Sequence, residues 1–135
     1  MPLDYVIDHE RRLVTAKGHD TLTDEDFFEY QEEVWSRPDV NGYNELVDMS
    51  QVEHIALKSI GRIRELAKLS AGMDSRSSAS RFAIVAPTGE AFGLARMYQT
   101  YRSMEDRSTK QVGVFRTLEE ALAFLDVGGS TAAEG

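Results

Sequence analysis

Cysteine is missing from this chain of 135 residues. Disulfides, thiolate metal centres and a cysteine nucleophile are therefore excluded. Proline is scarce, with three residues; Pro38 and Pro87 each close an apolar pattern rather than interrupt one. No apolar run approaches the ~20 residues that a membrane span requires. Residues 1–8 carry no basic stretch ahead of an apolar one, so no secretory leader is expected and a cytoplasmic location is. Positive charge is short: 15 Lys and Arg face 23 Asp and Glu, for a net charge of −8. That balance argues against binding to nucleic acid or to an anionic membrane, which needs a cationic face. Catalytic signatures are missing too. His9, His19 and His54 share no ligand spacing, and no nucleophile elbow or carboxylate pair stands near His54. No metal, cofactor or enzymatic activity is expected on those grounds.

What is present describes one α/β domain. The length suits a single core, and 41% apolar residues are too many for a disordered chain. Asp4 to Asp8 and Arg12 to Gly18 read as a β-hairpin. Thr23 is an expected N-cap, with Asp24, Glu25 and Asp26 in the first turn and Phe27, Phe28, Tyr30, Val34 and Trp35 on an apolar face. Tyr43 to Met49 reads as a strand. Ala56 to Ser70 reads as a surface helix with a stripe of Ala56, Ile60, Ile63 and Ala67. Ser70 to Ser80 is small and polar and reads as a loop. Arg81 to Pro87 holds five consecutive apolar residues, the mark of a strand covered on both faces. Glu90 to Met104 is helical and Val112 to Arg116 is a last strand. Thr117 and Glu120 form a capping box ahead of Leu118, Ala121, Leu122 and Leu125, read as core-facing.

The expected order is ββαβαβαβα: a mixed, mostly parallel five-stranded sheet with an N-terminal hairpin and four helices. The domain is expected over residues 1–126, with 127–135 a flexible tail.

The segment Tyr43 to Gly61 draws attention because it sets polar side chains between a strand end and a helix start, where open α/β sheets place their binding chemistry. This segment, with Asp48-Met49-Ser50-Gln51-Val52 and Ser59-Ile60-Gly61, resembles the STAS superfamily, in particular its SpoIIAA-like branch. Tyr5-Val6-Ile7-Asp8, Ala83-Ile84-Val85-Ala86-Pro87, the run Phe92 to Tyr98 and Val114-Phe115-Arg116 carry the same resemblance, over about residues 3–126. It implies the fold of bacterial anti-sigma-factor antagonists. It also implies a regulatory serine at the start of the helix after the third strand, which Ser59 matches by position. The chain departs from that pattern, with Ala56, Leu57 and Lys58 where an acidic and a small polar residue are expected. A related CRAL-TRIO-like fold implies an apolar ligand.

Two sets of candidates follow. Asp48, Ser50, His54, Lys58, Ser59 and Gly61 would form a recognition surface in the loop after the third strand, with Ser59 either a phosphosite or an ordinary first-turn serine. Asp48 and Ser50 would contact a partner or simply hold the turn. Phe27, Phe28, Phe92, Tyr98 and Tyr101 would line an apolar pocket, or else be core aromatics, with Arg96 and Arg102 solvated. The expected function is a non-enzymatic regulatory or protein-interaction module, alternatively a binder of a small apolar molecule or lipid. A homodimer is expected through the hairpin and the helix carrying Met97, Tyr98 and Tyr101.

Overall fold

The computed structural model describes residues 2–75 and 79–129. Strand β1 (Leu3–Asp8) pairs antiparallel with β2 (Leu13–Thr23). The connecting turn is held by the Arg11 N–H donating to the Asp8 carboxylate at 3.0 Å. β2 then pairs parallel with β3 (Asn44–Ala56), β3 with β4 (Arg81–Val85), and β4 with β5 (Gln111–Phe115). The sheet order is β1-β2-β3-β4-β5. Helices α1 (Asp24–Trp35), α2 (Gly61–Gly72), α3 (Gly89–Ser103) and α4 (Leu118–Gly129) complete the order ββαβαβαβα. Among the described residues, no helix is long and apolar enough to cross a membrane.

The caps show why helices start where they do. The Thr23 hydroxyl accepts from the Asp26 N–H at 3.2 Å, and the Asp26 carboxylate accepts from the Thr23 N–H at 2.8 Å. This reciprocal box satisfies two otherwise orphaned donors at the α1 start. Thr88 caps α3 through the Ala91 N–H at 3.2 Å.

The sheet is covered differently on its two faces. Val14, Ala16, Val47, Phe82 and Ile84 point to one face and pack on Tyr30 and Val34 of α1, Ile63 and Ala67 of α2, and Ala91, Ala95 and Tyr98 of α3. Leu46, Ala83 and Val85 point to the other and pack on Ala121 and Leu125 of α4. The run Phe82 to Val85 is thus buried from both sides, as its unbroken apolar character requires.

Several expectations are corrected. β3 runs on to Ala56, so Ser50 and His54 lie in a strand rather than a loop. Its buried residues Met49, Val52 and Ile55 fall every third position, which disguises a strand of period 2. The register explains this: from Lys17 to His19 β2 advances opposite Asp48 to Gln51, and from Asp20 to Thr21 opposite Val52 to His54. β3 takes one extra residue at each step, and two such bulges return every third side chain to the same face. Gly18 sits at the first, where a Cβ would come within 2.8 Å of Leu22 and 2.9 Å of Val52. Asp20 adopts a left-handed φ of 59° at the second.

Consequently α2 begins at Gly61 rather than Ala56, and Ile60 is 50% exposed instead of joining the apolar stripe. Arg102 is buried, not solvated, at 2% exposure. Leu118 and Leu122 face outward, since α4 is a covering helix that meets the sheet through Ala121, Phe124 and Leu125. α2 extends through Gly72 into the expected loop, of which residues 76–78 lie outside the described residues. α4 continues to Gly129, and residues 130–135 of the expected tail lie outside them.

Candidate functional site

A cavity of about 90 Å3 lies between the sheet and the layer of α1, α2 and α3. β3 and β4 supply its floor through Val47, Met49, Phe82 and Ile84. α1 lends Phe27 and Phe28, α2 lends Ile63 and Leu66, and α3 lends Leu94, Ala95 and Tyr98. The far end of β3 closes the top with Ile55 and Leu57 just beyond it. The two bulges matter here. Either one alone would turn Ile55 away from this space, whereas the pair puts it back on the same face as Met49. Phe27, Phe28, Leu57, Leu66 and Leu94 are only half-buried, so the cavity opens outward between the helices.

Charged groups stand at two places on this apolar wall. At the inner end Glu45 is buried and accepts from the Tyr30 hydroxyl at 2.7 Å and from Lys110 Nζ at 2.8 Å. The Lys110 ammonium also sits 3.3 Å from the centre of the Trp35 ring, a favourable placement for a desolvated cation. Burial lowers the Lys110 pKa from its ordinary value, and the charge of Glu45 opposes that shift without cancelling it. Burial, with the Glu45 charge behind it, pushes the Tyr30 phenol well up. Beside this pair Arg102 makes a fork to Asp74 at 2.6 and 2.7 Å and reaches the Tyr98 hydroxyl and Ser70. Asp74 accepts as well from the N–H groups of Thr109 and Lys110 at 2.9 and 3.1 Å. Two buried ion pairs therefore tie α2, α3, β3 and the approach to β5 together beneath the cavity.

At the outer rim Asp24 is 4% exposed and accepts from Arg62 Nε at 2.7 Å. The Arg62 guanidinium lies 4.2 Å over the Phe28 ring and also donates to Glu65. Burial raises the Asp24 pKa, but the hydrogen bond from Arg62, the local backbone and the Arg62 charge outweigh it, so the carboxyl titrates below its ordinary value. Lys58 bridges to Glu25 at 3.0 Å along the same rim.

The residues singled out in the sequence are scattered rather than gathered. Asp48 is in register with Val85 and belongs to the α4 face, opposite the cavity. Its carboxylate accepts from the Ser50 N–H at 3.0 Å and the Ser50 hydroxyl at 2.7 Å, bonds that hold the first bulge. His54 is exposed, with Nδ1 3.3 Å from Glu90 at the start of α3. Lys58, Ser59 and Gly61 form one exposed stretch leading into α2. Of the aromatic candidates, Phe27, Phe28 and Tyr98 line the cavity; Phe92 and Tyr101 do not. Phe92 instead carries the Arg116 guanidinium 4.1 Å above its ring. Glu45, Met49, Ile63 and Phe82 were not foreseen. Two signals were available. Ile63 stood in the apolar stripe of its helix. Phe82 opened an unbroken run to Val85, and a strand buried on both faces must contribute to whatever lies beneath the helices.

No family model and no curated protein matches the sequence. The fold, however, is the SpoIIAA-like one. A crystal structure of an uncharacterised protein of the DUF3478 family with a SpoIIAA-like fold, from Shewanella loihica, aligns at a TM-score of 0.55 over 91% of each chain. At 16% identity that likeness concerns architecture.

Proposed function

We propose that this domain is a non-enzymatic binding module whose ligand is a small apolar molecule seated between the sheet and α1–α3. The observation that carries this reading is the cavity of about 90 Å3, walled by aliphatic and aromatic side chains from β3, β4 and three helices. An empty space of that kind costs stability. Engineered apolar cavities of about 150 Å3 stay dry and take up benzene or xenon; this space is smaller but opens outward between half-buried side chains, so a guest of similar chemistry can extend past its mouth. The charged groups on the wall, Asp24, Arg62 and Glu45, are each held by an opposite charge, an arrangement suited to holding a ligand rather than transforming one. Native mass spectrometry of protein purified from its own host tests the proposal. An apolar adduct on the wild type that Ala95→Leu abolishes is the expected result. An unliganded wild-type mass would count against it.

A second reading, a regulatory protein-interaction surface, is favoured by the exposed stretch Lys58–Ser59–Ile60, where a large apolar side chain is 50% exposed beside a hydroxyl at a helix start. Added negative charge is tolerated at such a position. Partner capture from host lysate by Ser59→Asp should differ from that by wild type, whereas identical recoveries would remove this reading. For self-association, Tyr98 is buried and cannot serve an interface. The hairpin remains a place for it, since Val6 is 68% exposed on the edge strand. Light scattering at twice the 15.1 kDa chain mass would support a pair.

A further inference from the structure

The charges around the cavity are arranged to choose among apolar ligands. At the rim, Arg62 and Lys58 face three carboxylates: Asp24 and Glu65 on Arg62, and Glu25 on Lys58. Both cations are already matched and one carboxylate is in excess. An incoming anion would find no uncompensated positive charge there. The inner end is no more welcoming. Glu45 presents a carboxylate neutralised by Lys110. The Tyr30 hydroxyl gives its hydrogen to Glu45. The Ser70 hydroxyl donates to the Leu66 carbonyl at 2.7 Å, so the Tyr98 hydroxyl, 2.7 Å from Ser70, gives its hydrogen to Ser70. Gln31 turns one of its two amide N–H bonds to the Met73 sulfur. What the inner end offers a guest is therefore acceptor capacity on Glu45, beside hydroxyl donors that are already engaged and with no unmatched cation. A carboxylate buried without donors or a counter-charge is strongly disfavoured, and a hydroxyl, which can donate, is not.

We infer that the cavity selects an uncharged apolar molecule, an aryl or short alkyl group ending in a hydroxyl, over the carboxylate of the same carbon skeleton. This rests on the cavity being a binding site, and the test separates the two claims. Toluene, benzyl alcohol and benzoate share one ring and differ in what it carries. Each is titrated at pH 7 into methyl-labelled protein, and the signals of Val47, Ile55, Ile63 and Ile84 are followed. Toluene and benzyl alcohol should shift these methyls saturably, the alcohol more tightly, with benzoate at least about tenfold weaker than the alcohol. Benzoate binding as tightly as benzyl alcohol would overturn the inference and leave the apolar site standing. Silence from all three would overturn the site and the inference together. A second arm uses Glu65→Gln, a 60% exposed side chain whose loss leaves the core untouched. Freeing part of Arg62 should strengthen benzoate binding about threefold and leave toluene unchanged. Benzoate as weak as before would show that rim charge is not the cause.

Discussion

On the face covered by α1, α2 and α3, three helices meet a large apolar surface and leave a space of about 90 Å3 beneath them. On the face covered by α4, one helix interlocks with the sheet around Gly113, where a Cβ would stand 2.7 Å from the Phe115 ring. Phe115 and Phe124 meet there with ring centres 5.2 Å apart. The first face also contains the buried ion pairs Glu45–Lys110 and Asp74–Arg102. The difference teaches how one sheet divides its work. The α4 face is close-packed and contributes stability. The three-helix face is braced at its base by buried charges that join α3 to the end of α2 and β3 to the approach to β5.

The comparison can be broken at several points. The largest effect should come from the braces. Arg102→Ala leaves Asp74 buried without its counter-charge, and removing one partner of a buried pair costs about 3–5 kcal/mol. Urea denaturation measures this, and a loss below about 1 kcal/mol would show that the pair is not a brace. Next comes a large-to-small change on the packed face: Leu46→Ala should cost about 2–5 kcal/mol, since little space exists for relaxation. Small-to-large changes should then separate the faces by sign. Ala121→Leu on the α4 side overfills a tight core and should cost about 1–3 kcal/mol. Ala95→Leu on the cavity side fills existing space and should be neutral or stabilising by about 0.5–2 kcal/mol. Equal losses for both would mean that the faces are packed alike.

Smaller effects lie at the rim. Asp24 titrates below its ordinary value in the folded state. Its contribution is fully present above the unfolded carboxyl pKa and is lost as pH falls through the lower folded value. Melting temperature followed from neutral to acid pH should decline less steeply in Asp24→Asn than in wild type. Identical acid limbs would show that the Arg62 contact adds nothing. Smallest of all, Lys58→Ala removes a pair whose side chains are 67% and 65% exposed, and should cost no more than about 0.5 kcal/mol.

Most of the architecture was readable in the sequence because its signals are local. Thr23 ahead of three acids marks a helix start, and the apolar run after Arg81 marks a central strand. The far half of β3 was not readable, because its apolar residues Met49, Val52 and Ile55 obey a period of three imposed by bulges against β2. That miss moved the expected recognition loop onto a strand. The cavity was half legible. Phe27, Phe28 and Tyr98 were foreseen from helical spacing, but Arg102 read as a solvated charge and Glu45 carried no signal of its own. Their burial depends on Lys110 and Asp74, 65 and 28 residues away in the chain, and no local pattern announces such a partner.

The most direct test of the division between the faces is a crystal of the protein pressurised with xenon, a neutral apolar guest that needs only a dry space. Xenon bound between α1–α3 and the sheet, in contact with Val47, Ile63, Ile84 and Ala95, with none on the α4 face, is the predicted result. An ordered chain of water in that space, or xenon on the α4 face instead, would contradict the account.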